Sequence, residues 1–203
     1  VILAAGAGSR LQPYSDIIPK AMMPVDGVPI ISRIFDKWAI GADINNVVIC
    51  INKEHEKFFK HEFRDIGSRV RFVTSKKPLG TAGEVWNARK LIKDDFILYY
   101  GDMLTNINPI VLLQEHIKSR DSEAKYIGTL AAVRGTATEK GLIDADKDDN
   151  IIAFTEKPPL SNWAWAAIGV FTKGILQYCC KGRDFGADVF TKMKSSAYLV
   201  NTS

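Results

Sequence analysis

Residues 1–30 read VILAAGAGSRLQPYSDIIPKAMMPVDGVPI. An apolar run, Val1 to Ala5, opens into a segment holding Gly6, Gly8, Arg10, Pro13, Pro19, Lys20, Pro24 and Gly27, and a helical pattern begins only after Pro29. This is the pattern of a strand feeding a long, proline-stiffened, basic loop. Gly6 and Gly8 let a ligand approach the backbone without a Cβ in the way, and their amides can point into one concavity that suits an anion. With Arg10 and Lys20 flanking them, a nucleotide phosphate is the natural candidate. Two commoner glycine-rich turns fail on the letters. A dinucleotide fingerprint needs a third glycine three places after Gly8, where this chain has Leu11 and then Pro13. A P-loop needs Gly-Lys-Ser/Thr five places after Gly6, where Leu11, Gln12 and Pro13 stand. Loops of about twenty residues without structure of their own are uncommon in compact domains and usually functional, so this one is expected to wrap a substrate.

The chain's 203 residues fit one domain, or one domain with a lid, and should bury roughly 70% of the unfolded surface. At this size no structural disulfide or metal is needed, and a composition of 46% hydrophobic and 25% charged residues is that of an ordinary globular protein, with no indication of disorder. Net charge is +4 and dispersed, with basic clusters no longer than pairs such as Lys76–Lys77, which argues against a nucleic-acid partner and for small anionic substrates. Cys50 lies in an apolar strand and Cys179–Cys180 are neighbours, so neither metal nor redox spacing exists and a reducing, cytoplasmic setting is expected. No apolar run approaches eighteen residues and no leader precedes Val1, so neither export nor a membrane partner is expected. His55, His61 and His116 have no zinc-type spacing and read as helix-surface residues.

Strand-like runs alternate with amphipathic helices through the first half. Asn46–Ile51 precedes a helix from about 54 to 66, in which Phe59, Phe63 and Ile66 share a face. Val70–Thr74, a helix over 83–92, Phe96–Tyr100, a helix over 109–118 and Tyr126–Val133 follow. The rhythm predicts an α/β fold with a Rossmann-like, doubly wound, mixed sheet flanked by helices, its first half parallel. After Gly135 the links shorten. Gly141–Asp146, Ile151–Glu156 and Ala166–Phe171 read as an antiparallel lid, with helices at 173–180 and 185–194. We expect a single domain over 1–203, with the change of rhythm dividing it into 1–134 and 135–203.

Several constellations could carry chemistry. Asp102 follows an apolar strand at its carboxyl end, where it can hold a metal or merely close a turn. Pro78-Leu79-Gly80-Thr81-Ala82-Gly83 forms a second strand-to-helix turn whose amides could read a base edge, or where Thr81 simply caps a helix. Glu156 and Lys157 end a strand before Pro158-Pro159, placed to bind sugar hydroxyls and a phosphate or else only solvated. Trp163 and Trp165 flank Ala164 and could stack on a sugar or pack in the core.

Taken together, L-A-A-G-A-G-S-R-L, P-K-A-M-M-P-V-D-G-V-P-I, P-L-G-T-A-G, G-D and E-K-P, in that order from Val1 to about Phe171, resemble the sugar-1-phosphate nucleotidylyltransferases. The resemblance implies that a nucleoside triphosphate and a sugar 1-phosphate react, by in-line attack of the sugar phosphate on the α-phosphorus, to give a nucleotide sugar and pyrophosphate. By the same resemblance Leu3, Ala4, Ala5, Gly6 and Gly8 would line the nucleotide, and Gly80, Thr81 and Gly83 would meet base and ribose. Arg10 would hold the leaving pyrophosphate and Lys20 the reacting phosphates, the catalytic pair. Asp102 would bind Mg²⁺, Glu156 a sugar hydroxyl and Lys157 the sugar phosphate, so that 1–134 would be the nucleotide-binding part and 135–203 the sugar-binding part. Members commonly form dimers or tetramers, and the sequence leaves a homo-oligomer open.

The chain departs from the family pattern in two places. Trp165-Ala166-Ala167-Ile168-Gly169 stands where relatives often read Asn-Ala-Gly-Ile-Tyr, which removes a sugar-binding Asn. Relatives also carry an Asp-x-Gly carboxylate shortly after a segment like Tyr198–Ser203, so the natural chain is expected to continue past Ser203 with that motif. These departures motivate two alternatives: a regulatory subunit of the same fold, and a cytidylyltransferase in which Trp163 and Trp165 cage phosphocholine. The base motif lies closer to guanylyl- than to thymidylyltransferases, which tend to carry a Gln near Ser75. A glycosyltransferase would want Asp-x-Asp, but Met103 and Leu104 follow Asp102.

Overall fold

Every residue from Val47 to Ile51 is buried, and successive side chains enter two separate apolar cores. Val47, Ile49 and Ile51 join one; Val48 and Cys50 join the other. A strand that is apolar at every position suits a sheet covered on both faces, and the computed structural model of the chain is organised around it. The structure describes residues 1–122, 126–133 and 164–192, and the backbone of 142–145, 151–155 and 197–201.

The strands are β1 (Ile2–Ala4), β2 (Pro24–Val25), β3 (Val28–Pro29), β4 (Val47–Asn52), β5 (Val70–Ser75), β6 (Phe96–Tyr100), β7 (Gly128–Val133), β8 (Leu142–Ala145), β9 (Ile151–Thr155), β10 (Ala164–Phe171) and β11 (Ala197–Asn201). The α-helices are α1 (Tyr14–Ile17), α2 (Ile30–Phe35), α3 (Glu56–Glu62), α4 (Thr81–Ala88) and α5 (Pro109–Ser122). A seven-stranded sheet has the order β11-β7-β10-β6-β1-β4-β5. β1, β4, β5 and β6 run parallel, β11 runs parallel to β7, and β10 lies antiparallel between β6 and β7. This is the mixed, doubly wound sheet that the sequence predicts. From β1 the chain winds outward through β4 and β5, then returns to place β6 on β1's other side, so the order reverses beside β1. Ligands of open α/β sheets bind at such a reversal, outside the carboxyl ends of the strands.

One core packs α2, α3 and α5 on the sheet through residues such as Ile31, Ile34, Phe59 and Leu112. The other packs α4 and residues 173–192 through Val85, Ile175, Phe185 and Val189. Phe59 and Phe63 are buried and Ile66 packs against them, as their spacing predicts. Among the described residues no helix is long and apolar enough to cross a membrane.

Three expectations are corrected. Ala166–Phe171 does not join a lid: β10 enters the main sheet, and only β8 and β9 pair as a separate antiparallel sheet. The reason is burial, because Ile168, Val170 and Phe171 are almost wholly covered between β6 and β7, and a Cβ on Gly128 would overlap the Phe171 ring. The long loop after β1 is not structureless. Short helical turns at Ser9–Leu11, α1 and Lys20–Met22 lead into the β2–β3 hairpin, where Asp26 and Gly27 both have positive φ, as a tight two-residue turn requires. Finally, His116 is not on the surface. It is 1% exposed, with Nε2 3.3 Å from Asp95 Oδ2 and Nδ1 3.3 Å from the Tyr126 hydroxyl, whereas His55 is half-buried and His61 exposed.

Candidate active site

The carboxyl ends of β1 and β6, with the turn after β5, enclose a cavity of about 470 Å³. Leu3, Ala4, Ala5, Gly6 and Gly8 line it from the end of β1, Gly80 and Thr81 from the start of α4, and Asp102 from the turn after β6. Arg10 and Lys20 are the cations in this lining, and both come from the loop after β1. A second cavity, about 490 Å³, opens at the amino ends of β1, β4 and β6 over Ile34, Trp38 and His116, and no glycine lines it.

Gly8 has φ +64, and a Cβ there would sit 3.1 Å from the Ser15 Cβ, so both backbone and space call for glycine. Its carbonyl accepts from the Leu11 amide at 2.8 Å, which closes the turn that carries Arg10. The Arg10 side chain is exposed and makes no hydrogen bond or ion pair with a described residue. Lys20 follows Pro19, which is held extended at φ −60 and ψ 143, and its Nζ donates to Asp102 Oδ2 at 2.6 Å. Among the described residues no group of three or more His, Cys, Asp or Glu side chains is gathered to hold a metal. A divalent cation at Asp102 would take this carboxylate, substrate phosphates and water as ligands, beside any carboxylate supplied from outside the described residues. That all-oxygen set fits Mg²⁺.

The α4 wall is built differently from its sequence reading. Thr81 donates both its amide (2.8 Å) and its hydroxyl (2.9 Å) to Asp184 Oδ1, and the Ala82 and Gly83 amides donate to the Arg183 carbonyl at 3.0 and 3.2 Å. Of the amides expected to read a base edge, those of Thr81, Ala82 and Gly83 are thus already satisfied. Thr81 does not cap its own helix; Asp184 and the Arg183 carbonyl do, from a segment a hundred residues further along the chain. Gly80 has φ +75 and its missing Cβ makes room for the Arg183 carbonyl. Gly83 does not line the cavity but packs against the Lys181 backbone, its absent Cβ 3.2 Å from Lys181 Cα. Asp184, itself in the lining, had no signal in the sequence, since it lies 103 residues from its partner.

A model of the nucleotidyl transferase family matches residues 1–201. The chain belongs to that family. This nucleotidyl transferase is 30% identical over 195 residues to a mannose-1-phosphate guanylyltransferase of Mycobacterium tuberculosis, with 93% of the chain and 52% of the relative covered. It is 28% identical over 160 residues to a D-glycero-alpha-D-manno-heptose 1-phosphate guanylyltransferase of Campylobacter jejuni, covering 77% of the chain and 67% of that protein. The chain spans about half the length of the first of these relatives. In fold it is similar to HddC from Yersinia pseudotuberculosis, solved in complex with GMP-PN, with a TM-score of 0.72 over 99% of the chain and 88% of that structure, at 23% identity.

On the pocket wall of this nucleotidyl transferase the sequence reading missed Glu84. Its side chain lines the cavity yet the residue is only 4% exposed; Oε1 accepts from the Ser75 hydroxyl at 2.7 Å, and Oε2 is buried without a hydrogen-bond partner. Burial raises its pKa above the ordinary 4.5, while the Ser75 hydroxyl and the Leu79 amide oppose that shift. A Glu in the first turn of a helix ordinarily reads as dipole compensation, which is why it escaped notice. Tyr100 also lines the cavity, and burial pushes its hydroxyl up to about 12, so it stays protonated near neutrality.

Trp165 is committed to the core rather than to a ligand. Its ring meets Tyr100 edge-on at 5.2 Å and Phe190 at 4.8 Å, and its Nε1 donates to the Ile168 carbonyl at 3.0 Å. These contacts match the core-packing reading of Trp165. Trp163, Glu156 and Lys157 lie outside the described residues.

Proposed function

We propose that the chain carries out nucleotidyl transfer from a nucleoside triphosphate, guanosine triphosphate foremost, to a sugar 1-phosphate, releasing pyrophosphate. The observation that carries this reading is the convergence of Gly6, Gly8, Arg10, Lys20 and Asp102 on one cavity at the sheet's switch point. The resemblance of the chain to two guanylyltransferases supports guanine as the base.

In this reading the loop amides and the glycines without Cβ admit the triphosphate. A sugar phosphate oxygen forms the new bond to the α-phosphorus as the bond to the β-phosphate oxygen breaks, and the electron pair leaves with pyrophosphate. No proton need move onto the protein. Lys20 would sit beside the reacting phosphates and offset the charge that spreads over their oxygens in the transition state. Arg10 would hold the departing pyrophosphate by a forked contact. Mg²⁺, when bound through Asp102, supplies neutralisation of the triphosphate charge. Glu156 and Lys157 are proposed to hold the sugar phosphate half on the strength of the sequence motif, in a cytoplasmic setting.

The test is to incubate the protein with Mg²⁺, each nucleoside triphosphate and a panel of sugar 1-phosphates, and to follow pyrophosphate. Release that requires both substrates is expected. Nucleotide binding without release from any pair would sink the catalytic reading in favour of a regulatory subunit.

A further inference from the structure

A base bound on the α4 wall needs a polar partner there, and the helix's own first amides do not supply it, because Asp184 and the Arg183 carbonyl occupy those of Thr81, Ala82 and Gly83. Pro78, Leu79 and Gly80 add no side-chain polar group. Of the two carboxylates at this wall, Asp184 is engaged by the Thr81 amide and hydroxyl, whereas Glu84 borders the cavity with Oε2 buried and without a hydrogen-bond partner, its Oε1 held by the Ser75 hydroxyl at the end of β5. A buried carboxylate oxygen left without a donor is costly, and such groups are retained where a ligand completes them. Ionised carboxylates only accept hydrogen bonds, with room for a second bond at each oxygen. Phosphate, also an acceptor, is excluded from this wall and is drawn instead towards Arg10 and Lys20.

Among the bases, only guanine presents two adjacent donors, N1–H and the 2-amino group. Adenine and cytosine pair an amino group with a ring acceptor, and uracil and thymine offer one N–H between two carbonyls. We propose that Glu84, oriented by Ser75, is the base-specificity residue of this chain, its carboxylate accepting the N1–H and 2-amino hydrogens of guanine. This rests on the nucleotidyl-transfer reading above. A site built on such paired bonds rejects analogues that lack one of them, because its buried acceptor is then left unmatched.

Calorimetric binding of GTP, inosine triphosphate (which lacks the 2-amino group), ATP, UTP, CTP and dTTP, with pyrophosphate release followed in parallel, tests the assignment. GTP should bind best and inosine triphosphate about tenfold more weakly. In Glu84→Gln an amide hydrogen replaces an acceptor, so GTP affinity should fall on the order of 100-fold and the GTP-to-inosine ratio should close to about one. Ser75→Ala should weaken GTP about tenfold or less and keep the order of preference. A wild-type preference for another triphosphate, or a folded Glu84→Gln that keeps the GTP-to-inosine ratio, overturns the assignment while leaving nucleotidyl transfer intact. Should Glu84→Gln fail to fold, equal wild-type affinities for GTP and inosine triphosphate would overturn it. Failure to bind any triphosphate would instead defeat the reading on which it rests.

Discussion

Lys20 Nζ lies 2.6 Å from Asp102 Oδ2, joining the loop after β1 to the turn after β6 across the mouth of the cavity. Each partner is about a third exposed, so the pair is worth less than about 1 kcal/mol to the fold. Its significance is chemical. On the proposed function, a cation that would serve the phosphates rests on the carboxylate that would bind the metal. Lys20→Gln is accordingly expected to lower kcat by roughly 10²–10³ while leaving Tm nearly unchanged. A loss confined to nucleotide KM, with kcat preserved, would remove Lys20 from the reacting centre.

Asp102→Asn should raise the Mg²⁺ concentration needed for half-maximal activity by about tenfold or more, because an amide oxygen is a weaker ligand for a hard cation. An unchanged Mg²⁺ titration would show that Asp102 serves only to hold Lys20.

Glu84 carries a pH signature in the absence of nucleotide. Its folded pKa is raised above 4.5 chiefly by burial. As pH rises above 4.5 the unfolded chain gives up this proton before the folded one, so the contribution to stability present at low pH is lost on the way up. Glu84→Gln keeps an acceptor for Ser75 and cannot ionise. Its Tm should therefore exceed that of the wild type at pH 7.5 and match it near pH 4. A variant less stable than wild type at pH 7.5 would contradict this.

His116 works in the opposite direction. Burial lowers its pKa below 6.5, only partly offset by Asp95, while the neighbouring Arg120 adds to the lowering. As pH falls through 6.5 the unfolded chain binds the proton first, and stability declines towards the folded pKa. Urea unfolding of wild type and His116→Gln at pH 8 and pH 5.5 should show a smaller acid loss in the variant. Parallel losses would mean that other groups set the acid limb.

Ala167 has φ +58, at the irregularity in β10 between Trp165 and Gly169. A left-handed conformation costs a residue with a Cβ about 1–2 kcal/mol. Ala167→Gly should thus stabilise the fold by roughly 1 kcal/mol, less the glycine's extra unfolded entropy. A lowered midpoint in urea would show that the Ala167 methyl is a packing contact worth more than the strain.

The parts of the site that were legible in the sequence share a property: each is decided by neighbours in the chain. Gly8 and Lys20 act through loop letters close at hand, and Asp102 through its place after an apolar strand. What escaped was decided at long range. Asp184 meets Thr81 across 103 residues, and nothing within either segment marks the other. The insertion of β10 between β6 and β7 was hidden because alternation of apolar residues reports burial but not which strand lies alongside. His116 did leave a trace, four residues after buried Leu112 on the same helical face, and was misread because a polar side chain at such a position suggests solvent.

The cap that Arg183 and Asp184 place on α4 has a consequence for how the protein can be built and taken apart. The wall beside the glycine loop is finished by residues made a hundred positions later, so a nascent chain ending before Arg183 would hold α4 with its first amides bare. The glycine-loop end is not a module. Exchanging the last third of this chain for a relative's would alter the cavity beside the glycine loop as well as the segment exchanged, and a split-protein design cut near residue 134 should restore the α4 cap only when both fragments are present.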